Sequence, residues 1–385
     1  MCAYTLIYSG GVNLKMVGLK IFSYLGNVGL FLREVQKQLA FLGVPKNLRK
    51  IYNFGFILGV CLGTQIVSGL VLSIVYIRGS DSGFANLFTI IGYRGVGSFV
   101  RYIHINVVSF FFIFIYIHIG RGLYYRRFLN KNVWIRGVTI LLLLIAIAFI
   151  GYVLPNNQMS YWGASVITSL LREVPYLGKE LVELIWGRVR VCKLTLLRFF
   201  SLHFILPFVL LVFVILHIIL LHEKGSSNPG GVKPTKDSFG SVQIKTDFSF
   251  LSVIAIFVLL ILRDEDFFGD DENFVKCNVV ETPVHIQPEW YFLFAYAILR
   301  SITNKLGGVI GLVSSIAILY LLALKCFSNY NRFVYKPYFK VLYWTFVFNF
   351  IFLSWIGMCR VEYPFVHITQ FFRVVYFSYY LVYLL

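Results

Sequence analysis

The chain has 385 residues, of which 58% are hydrophobic and 14% charged, and its formal net charge is +18. A soluble domain has about 25% charged residues, and long apolar runs recur along this chain, which predicts a polytopic membrane protein. The basic residues fall in particular loops, so they indicate membrane topology rather than nucleic-acid binding. The six cysteines are scattered without any C-x-x-C pair, which excludes covalent C-x-x-C-H haem attachment and argues against iron–sulfur ligation.

We predict an all-α fold in which eight transmembrane helices follow an N-terminal segment, residues 1–50. Within that segment, residues 29–42 combine apolar side chains with interspersed charges, which is typical of an interfacial amphipathic helix. The predicted spans are 53–77, 98–120, 134–154, 195–222, 248–262, 306–326, 341–358 and 366–385. Residues 164–171 and 179–187 are expected to form short surface helices.

The charges of the loops alternate. The N-terminal segment and the loops after spans two and six are basic, whereas the loop after span five is acidic. With an even number of spans, this pattern places both ends on the cytoplasmic-equivalent side, which in a mitochondrion is the matrix. The two long segments, 155–193 and 263–305, then lie together on the outer side, and loops of that length are usually functional.

Four histidines form two pairs with the same spacing. His104 and His118 in span two are 14 residues apart, as are His203 and His217 in span four. This interval is almost four helical turns, so each pair shares one helix face at levels about 21 Å apart. Spans two and four run in the same direction, so His104 can pair with His203 and His118 with His217. A histidine on each side of a ring is the axial ligation of haem, whereas zinc usually needs a closer cluster of four ligands.

Glycines repeat the same interval in spans one and three, and arginines flank span two. A glycine lets a flat macrocycle approach a helix backbone closely, so the pattern favours two haem levels in a four-helix bundle of the first four spans. Arginines are suited to haem propionates, although interface anchoring explains each of them equally well. The residues concerned are Gly55, Gly69, Gly137, Gly151, Arg101 and Arg121.

Several motifs resemble mitochondrial-type cytochrome b, the dihaem core subunit of quinol–cytochrome c oxidoreductase, respiratory complex III. The most specific is PEWY at 288–291, and the others are GYVLP at 151–155, QMSYWGASVIT at 158–168, RFFSLHFILPF at 198–208 and HIGRGLYY at 118–125. The resemblance runs from about residue 50 to 385. It departs from the usual P-W-G-Q at Pro155-Asn156-Asn157-Gln158, at the rim of the outer pocket, and in the loop 229–246.

The resemblance implies two non-covalent b haems, with His104 and His203 holding the outer one and His118 and His217 the inner one. It also implies an outer quinol-oxidation site in which Glu289 accepts a proton. The residues implied to line that pocket are Tyr152, Gly163, Ile167, Tyr291 and Tyr296. At an inner quinone-reduction site the matching positions are His222, Ser226 and Asp247, with Asp237 competing with Asp247.

The implied activity is quinol oxidation outside and quinone reduction inside, coupled to proton translocation. The implied partners are an iron–sulfur subunit, a cytochrome c1-type subunit, further subunits of the complex and a second copy of the complex, with no nucleic acid. We expect the mitochondrial inner membrane, with a bacterial plasma membrane as the alternative. The expected domains are the N-terminal segment 1–50, a dihaem bundle 51–225 and a C-terminal helical domain 226–385.

Two rival functions fit parts of the sequence. A dihaem electron conduit without bifurcation needs the histidine pairs but neither Glu289 nor two quinone pockets. A transporter with structural histidines would lack haem, and its spans would be expected to show an inverted repeat, which we do not find in the sequence.

Overall fold

The structure is a computed structural model that describes residues 43–77, 83–85, 96–225, 235–263, 266–324 and 337–384. The predicted amphipathic helix at 29–42 and Ser226 lie outside these residues. A short antiparallel pair joins β1, Gly43–Pro45, to β2, Lys236–Ser238. Helices make up most of the remaining described chain, as expected for an all-α protein.

Eleven α-helices are present in the described residues. They are α1 Phe54–Val75, α2 Val96–Tyr124, α3 Lys131–Val153, α4 Gln158–Ser169, α5 Gly178–Trp186, α6 Lys193–Lys224, α7 Phe239–Arg263, α8 Leu293–Arg300, α9 Lys305–Leu321, α10 Pro337–Met358 and α11 Phe365–Leu384. Short 3-10 helices cover Asp271–Phe274 and Trp290–Phe292, and another, Leu322–Leu324, extends α9. The predicted surface helices at 164–171 and 179–187 correspond to α4 and α5.

Each of the eight predicted spans coincides with a helix, but six helices of the described chain are long and apolar enough to cross a membrane by length and composition. These six are α1, α2, α3, α6, α9 with its 3-10 extension, and α10. The fifth predicted span is placed in α7, which begins at Phe239, nine residues before the predicted start at 248. The first turns of α7 contain polar residues, so the apolar run in the sequence begins later than the helix.

The membrane helices associate in pairs. α1 packs along α2, and α3 packs along α6, while α1 also contacts α6. The longest helix, α6, keeps much of its apolar surface exposed, including Ile205, Val212 and Ile219. In lipid such exposure is not costly, because the surrounding chains are as apolar as the side chains.

The two long segments between helices pack on each other, as their assignment to one side of the membrane requires. Gln158 of α4 donates to the Glu281 carbonyl at 2.8 Å and accepts from the Asn278 amide at 2.8 Å. The Trp162 indole donates to the Asn278 carbonyl at 3.2 Å. A buried cluster that includes Val153, Val182 and Leu196 ties α4 and α5 to the ends of α3 and α6.

The last turn of α10 lies directly against the start of α8. A Cβ on Gly357 would clash with the carbonyl oxygen of Leu293, a backbone atom that cannot rotate away. Only glycine therefore allows α8 to approach α10 this closely.

We predict that Gly357→Ala destabilises the protein by about 1–3 kcal/mol, the usual cost of overpacking. Gly59→Ala in α1 is the matched control, because a Cβ there meets nothing within 4 Å. The thermal midpoint of the detergent-solubilised protein, followed by circular dichroism, should fall for Gly357→Ala and stay level or rise for Gly59→Ala. Equal midpoints for the two variants would contradict this packing.

Candidate functional site: a two-level histidine site and an outer carboxylate pocket

The histidines of the outer level face each other across two helices. His104 of α2 and His203 of α6 have ring centroids 6.3 Å apart and ring planes at 87°. With a metal–nitrogen bond of about 2.0 Å and about 1.1 Å from nitrogen to ring centre, two imidazoles on opposite sides of one metal have centroids about 6 Å apart. At this separation His104 and His203 would be able to hold a single iron between them.

The hydrogen bonds of the outer histidines leave the same nitrogen of each ring available. His203 Nδ1 lies 3.0 Å from the Ile147 carbonyl oxygen, which can only accept. His104 Nδ1 lies 2.8 Å from Ser68 Oγ, and that hydroxyl donates to the Thr64 carbonyl at 2.7 Å. Both Nδ1 atoms therefore act as donors, and Nε2 of both rings keeps the lone pair that a metal needs.

Each glycine of the predicted interval contacts one histidine of the predicted pairs. A Cβ built on Gly69 would lie 3.1 Å from His104 Cε1, and one on Gly151 would lie 2.9 Å from His203 Nδ1. At the other level, a Cβ on Gly55 would lie 3.6 Å from His118 Cε1, and one on Gly137 would lie 3.3 Å from His217 Cε1. Four glycines thus leave space beside four rings: α1 and α3 supply two glycines each, and α2 and α6 supply two histidines each.

This pairing separates the site into two levels with the same composition. The outer level contains Gly69, His104, Gly151 and His203, and the inner level contains Gly55, His118, Gly137 and His217. Within the part of the chain that the structure describes, no group of three or more His, Cys, Asp or Glu side chains could hold a metal ion. The donor set therefore fits two bis-histidine haems better than a polydentate metal site.

Arg121 lies beside the inner level. Its guanidinium carbon is 4.9 Å from the centre of the Tyr52 ring, and its Nη2 is 3.4 Å from His118 Nδ1. Arg121 Nε is buried without a hydrogen-bond partner in the described residues. A buried guanidinium with an unused donor fits an anionic group such as a haem propionate.

The outer histidines and the predicted quinol residues share one cavity. Its volume is about 310 Å³, and its lining includes His104, His203 and Arg101 together with Glu289, Tyr291 and Tyr152. The sequence separates these groups by up to 190 positions, from 101 to 291. The His104–His203 pair and the Glu289 carboxylate thus open into the same largely apolar space.

Burial in this cavity raises the pKa of Glu289 from about 4.5 to about 7, and the charge of Asp270 adds to the effect. Hydrogen bonding with the Tyr152 hydroxyl opposes part of the rise. Asn273 Oδ1 lies 2.9 Å from the same hydroxyl, so the single Tyr152 proton can be donated either to Asn273 or to Glu289. A carboxyl group with a pKa near neutrality is suited to accept and release protons at physiological pH.

The backbone that carries Glu289 is held against α2. Tyr291 stacks on Phe112 with ring centroids 4.0 Å apart and planes at 2°, and the Tyr291 carbonyl accepts from the Tyr116 hydroxyl at 2.5 Å. The Trp290 indole donates to Ser109 Oγ at 3.0 Å. The PEWY segment is therefore fixed to the helix that carries His104, which sets the position of the carboxylate relative to that ring.

Residues 155–158, where the sequence departs from the family motif, lie at the rim of the cavity. Asn156 has a left-handed backbone with φ 53°, which asparagine tolerates better than most residues. Asn157 caps α4, since its Oδ1 accepts from the Ser160 amide at 2.8 Å, and it also bridges to Lys276. Asn157 lines the cavity. The two asparagines thus form a turn and a helix cap at the rim.

The other predicted quinol residues do not line the cavity shared by Glu289 and the outer histidines. A Cβ on Gly163 would meet nothing within 4 Å, so open space lies beside α4 there. Ile167 is partly buried on the same helix. The Tyr296 hydroxyl is 3.5 Å from the Ile286 carbonyl, and its ring lies under the Arg300 guanidinium at 4.7 Å.

At the inner side the structure describes two of the three predicted quinone residues. His222 is partly buried in the last turns of α6, five residues beyond His217. Asp247 is 7% exposed in α7 and accepts a hydrogen bond from Asn53 Nδ2. The competing Asp237 lies in β2, paired with Val44.

Sequence reasoning missed Asn53, Ser68 and Asn273, which bind Asp247, His104 and Tyr152 respectively. Ser68 precedes Gly69, which offered a weak signal. Asn53 and Asn273 meet the groups that they bind only in the folded protein, and no regular spacing in the sequence relates them to those groups.

Comparisons with known proteins show the family to which the chain belongs. A family model for the cytochrome b/b6/petB region matches residues 39–225, and one for the C-terminal cytochrome b/b6/petD region matches residues 276–377. A solved structure described as a hyperthermophilic respiratory complex III contains a chain of 30% sequence identity, with a TM-score of 0.84. That alignment covers 91% of this chain and 95% of the other. The chain therefore belongs to the cytochrome b/b6 family, as a cytochrome b of respiratory complex III.

Proposed function

We propose that this chain oxidises quinol at the outer side of an energy-transducing membrane and reduces quinone at the inner side. The observation that carries the proposal is the common cavity of the His104–His203 pair and Glu289. It brings a proton acceptor and an electron-accepting position to one apolar space, as quinol oxidation requires.

Glu289 is proposed to accept a proton from a quinol hydroxyl. Its raised pKa keeps the carboxylate basic enough to take the proton and acidic enough to pass it on near pH 7. Tyr152 and Asn273 supply polar groups beside the carboxylate, and Tyr291, stacked on Phe112, adds an aromatic wall to the same cavity. These groups are the proposed catalytic set.

His104 and His203 are proposed to hold the outer b haem, and His118 and His217 the inner one. The four glycines beside the rings give close approach to the helix backbones, and Arg101 and Arg121 are suited to the propionates. When bound, the haems supply one-electron redox chemistry at two levels of the bilayer.

A quinol that loses two electrons needs two acceptors. The family resemblance implies that one electron leaves to an iron–sulfur subunit and that the other crosses the membrane along this chain. His222, Ser226 and Asp247 are the proposed inner quinone site, where protons would be taken up. Release of protons outside and their uptake inside would constitute the proton translocation.

The proposed architecture has eight spans, with α1, α2, α3 and α6 forming the dihaem bundle. The proposed domains remain residues 1–50, 51–225 and 226–385. The match to a chain of a complex III supports a multisubunit assembly. An iron–sulfur subunit, a cytochrome c1-type subunit and a second copy of the complex are the proposed partners.

Our proposed location is the mitochondrial inner membrane, with a bacterial plasma membrane as the alternative. The high content of Phe and Tyr, 39 and 25 residues, is a weak compositional hint of AT-rich coding, which is common in organelle genomes. Fractionation of the source cells distinguishes the two locations.

Histidine substitution tests the two levels separately. His203→Leu should remove the outer haem and leave the inner haem, so the extracted haem per chain should fall by half. His217→Leu should remove the inner haem instead, and potentiometric titration should show that the two variants lose different b-type components. Loss of both haems from each variant, with the helical content preserved, would contradict separate levels.

A pH profile tests the role of Glu289. Its carboxylate must be unprotonated to accept a proton, and its folded pKa is raised to about 7, so quinol oxidation should fall as the pH drops through about 7. Glu289→Gln should lower kcat at least about tenfold. It should also abolish the acid limb of the profile, measured as quinol–cytochrome c reductase activity.

Asp271→Asn is the matched control for Glu289→Gln, because it removes one carboxylate from the same outer segment at a position outside the cavity lining. It should keep the acid limb. A Glu289→Gln profile with an unchanged midpoint and unchanged kcat would argue for an electron conduit in which Glu289 takes no part.

A further inference from the structure

Arg300 connects the segment that carries the outer carboxylate to a helix outside the cavity. It is the last residue of α8, which begins four residues after Glu289. Its Nη1 donates to the Cys359 carbonyl at 3.0 Å, and its Nη2 donates to the carbonyls of Ile356 and Gly357, each at 3.0 Å. One guanidinium thus binds three carbonyls at the end of α10.

These carbonyls lie at a helix end, where an outside donor stabilises them, and the Ile356 carbonyl also accepts from the Cys359 amide at 2.9 Å. The last carbonyls of a helix have no intrahelical partner and carry partial negative charge. At the edge of a bilayer an unsatisfied carbonyl is costly, so a planar guanidinium that reaches all three is strongly favoured. The same guanidinium lies over the ring of Tyr296, with its carbon 4.7 Å from the ring centre. This distance is within the range of a cation–π interaction.

Tyr296 connects Arg300 to the loop before Glu289. Its hydroxyl approaches the Ile286 carbonyl at 3.5 Å, three residues before the carboxylate. At the other end of α8, Leu293 rests against Gly357. α8 is therefore attached to the last turn of α10 at both its first and its last residue.

We propose that Arg300 is a positioning residue of the outer quinol site. It holds Tyr296 against the Ile286 backbone and so sets where the loop presents Glu289, although Arg300 itself lies outside the cavity lining. This inference rests on the proposed quinol oxidation. The end of α10 thereby helps to set the geometry of the outer quinol site, although α10 does not line the cavity.

The test uses the assembled complex with Arg300→Gln. Glutamine keeps an amide donor but loses the positive charge and the planar, forked set of N–H donors of the guanidinium. Haem content should stay normal. The kcat/KM for a short-chain quinol should fall about tenfold, since a displacement of about 1 Å can cost about a hundredfold. The affinity for a quinone-analogue inhibitor of the outer site should fall in parallel. Arg300→Lys should recover part of both losses, because it restores the charge without the fork.

Arg373→Gln is the matched control. Arg373 of α11 donates to the carbonyl and hydroxyl oxygens of Ser301 at 3.2 and 3.0 Å, so it anchors the adjacent residue without a described contact to Tyr296. It should leave inhibitor affinity unchanged. In a Tyr296→Leu background, Arg300→Gln should cause little further loss, because the two residues act through one path.

Normal kcat/KM and normal inhibitor affinity in Arg300→Gln would overturn the proposal, as would equal defects in Arg373→Gln. If Arg300→Gln does not assemble, Arg300→Lys alone carries the test, with the same outcomes relative to Arg373→Gln. Absence of quinol oxidation in the unmodified complex would contradict the proposed function instead, and inhibitor binding would then decide the role of Arg300.

Discussion

The contact between a glycine and a histidine ring is the constraint on which this structure depends. It occurs four times, and each contact joins two different helices: α1 to α2 at Gly55 and Gly69, and α3 to α6 at Gly137 and Gly151. A side chain at any of these positions would occupy the space beside a ring. The pairs α1–α2 and α3–α6 are also helices that pack along each other, so the glycine–histidine contacts lie within these two helix interfaces.

The outer level differs from the inner level in what surrounds it. At the outer level the Nδ1 atoms of His104 and His203 bind protein oxygens, and the adjacent cavity extends to Glu289. At the inner level a guanidinium lies beside His118. A positive charge close to a redox group favours its reduced form. The arrangement is therefore compatible with an inner haem that is the stronger oxidant, as inward electron transfer needs.

Much of this could be predicted from the sequence, because regular helices convert spacing into position. The 14-residue intervals predicted which glycines and histidines share a level, and the apolar runs located the helices. The start of α7 was missed because its first turns are polar, and the binding partners Ser68, Asn53 and Asn273 because they are set by packing between distant segments. The contacts of Arg300 with the end of α10 join residues 56 to 59 positions apart, and such contacts produce no periodic pattern in the sequence.

The most direct test of two matched levels is the haem stoichiometry of the unmodified chain in its complex, combined with a redox titration of the reduced-minus-oxidised spectrum. The arrangement predicts two b-type haems per chain that are reduced in two separate potential steps. A single haem would mean that one glycine–histidine level has another purpose. No haem would contradict the redox interpretation of both levels.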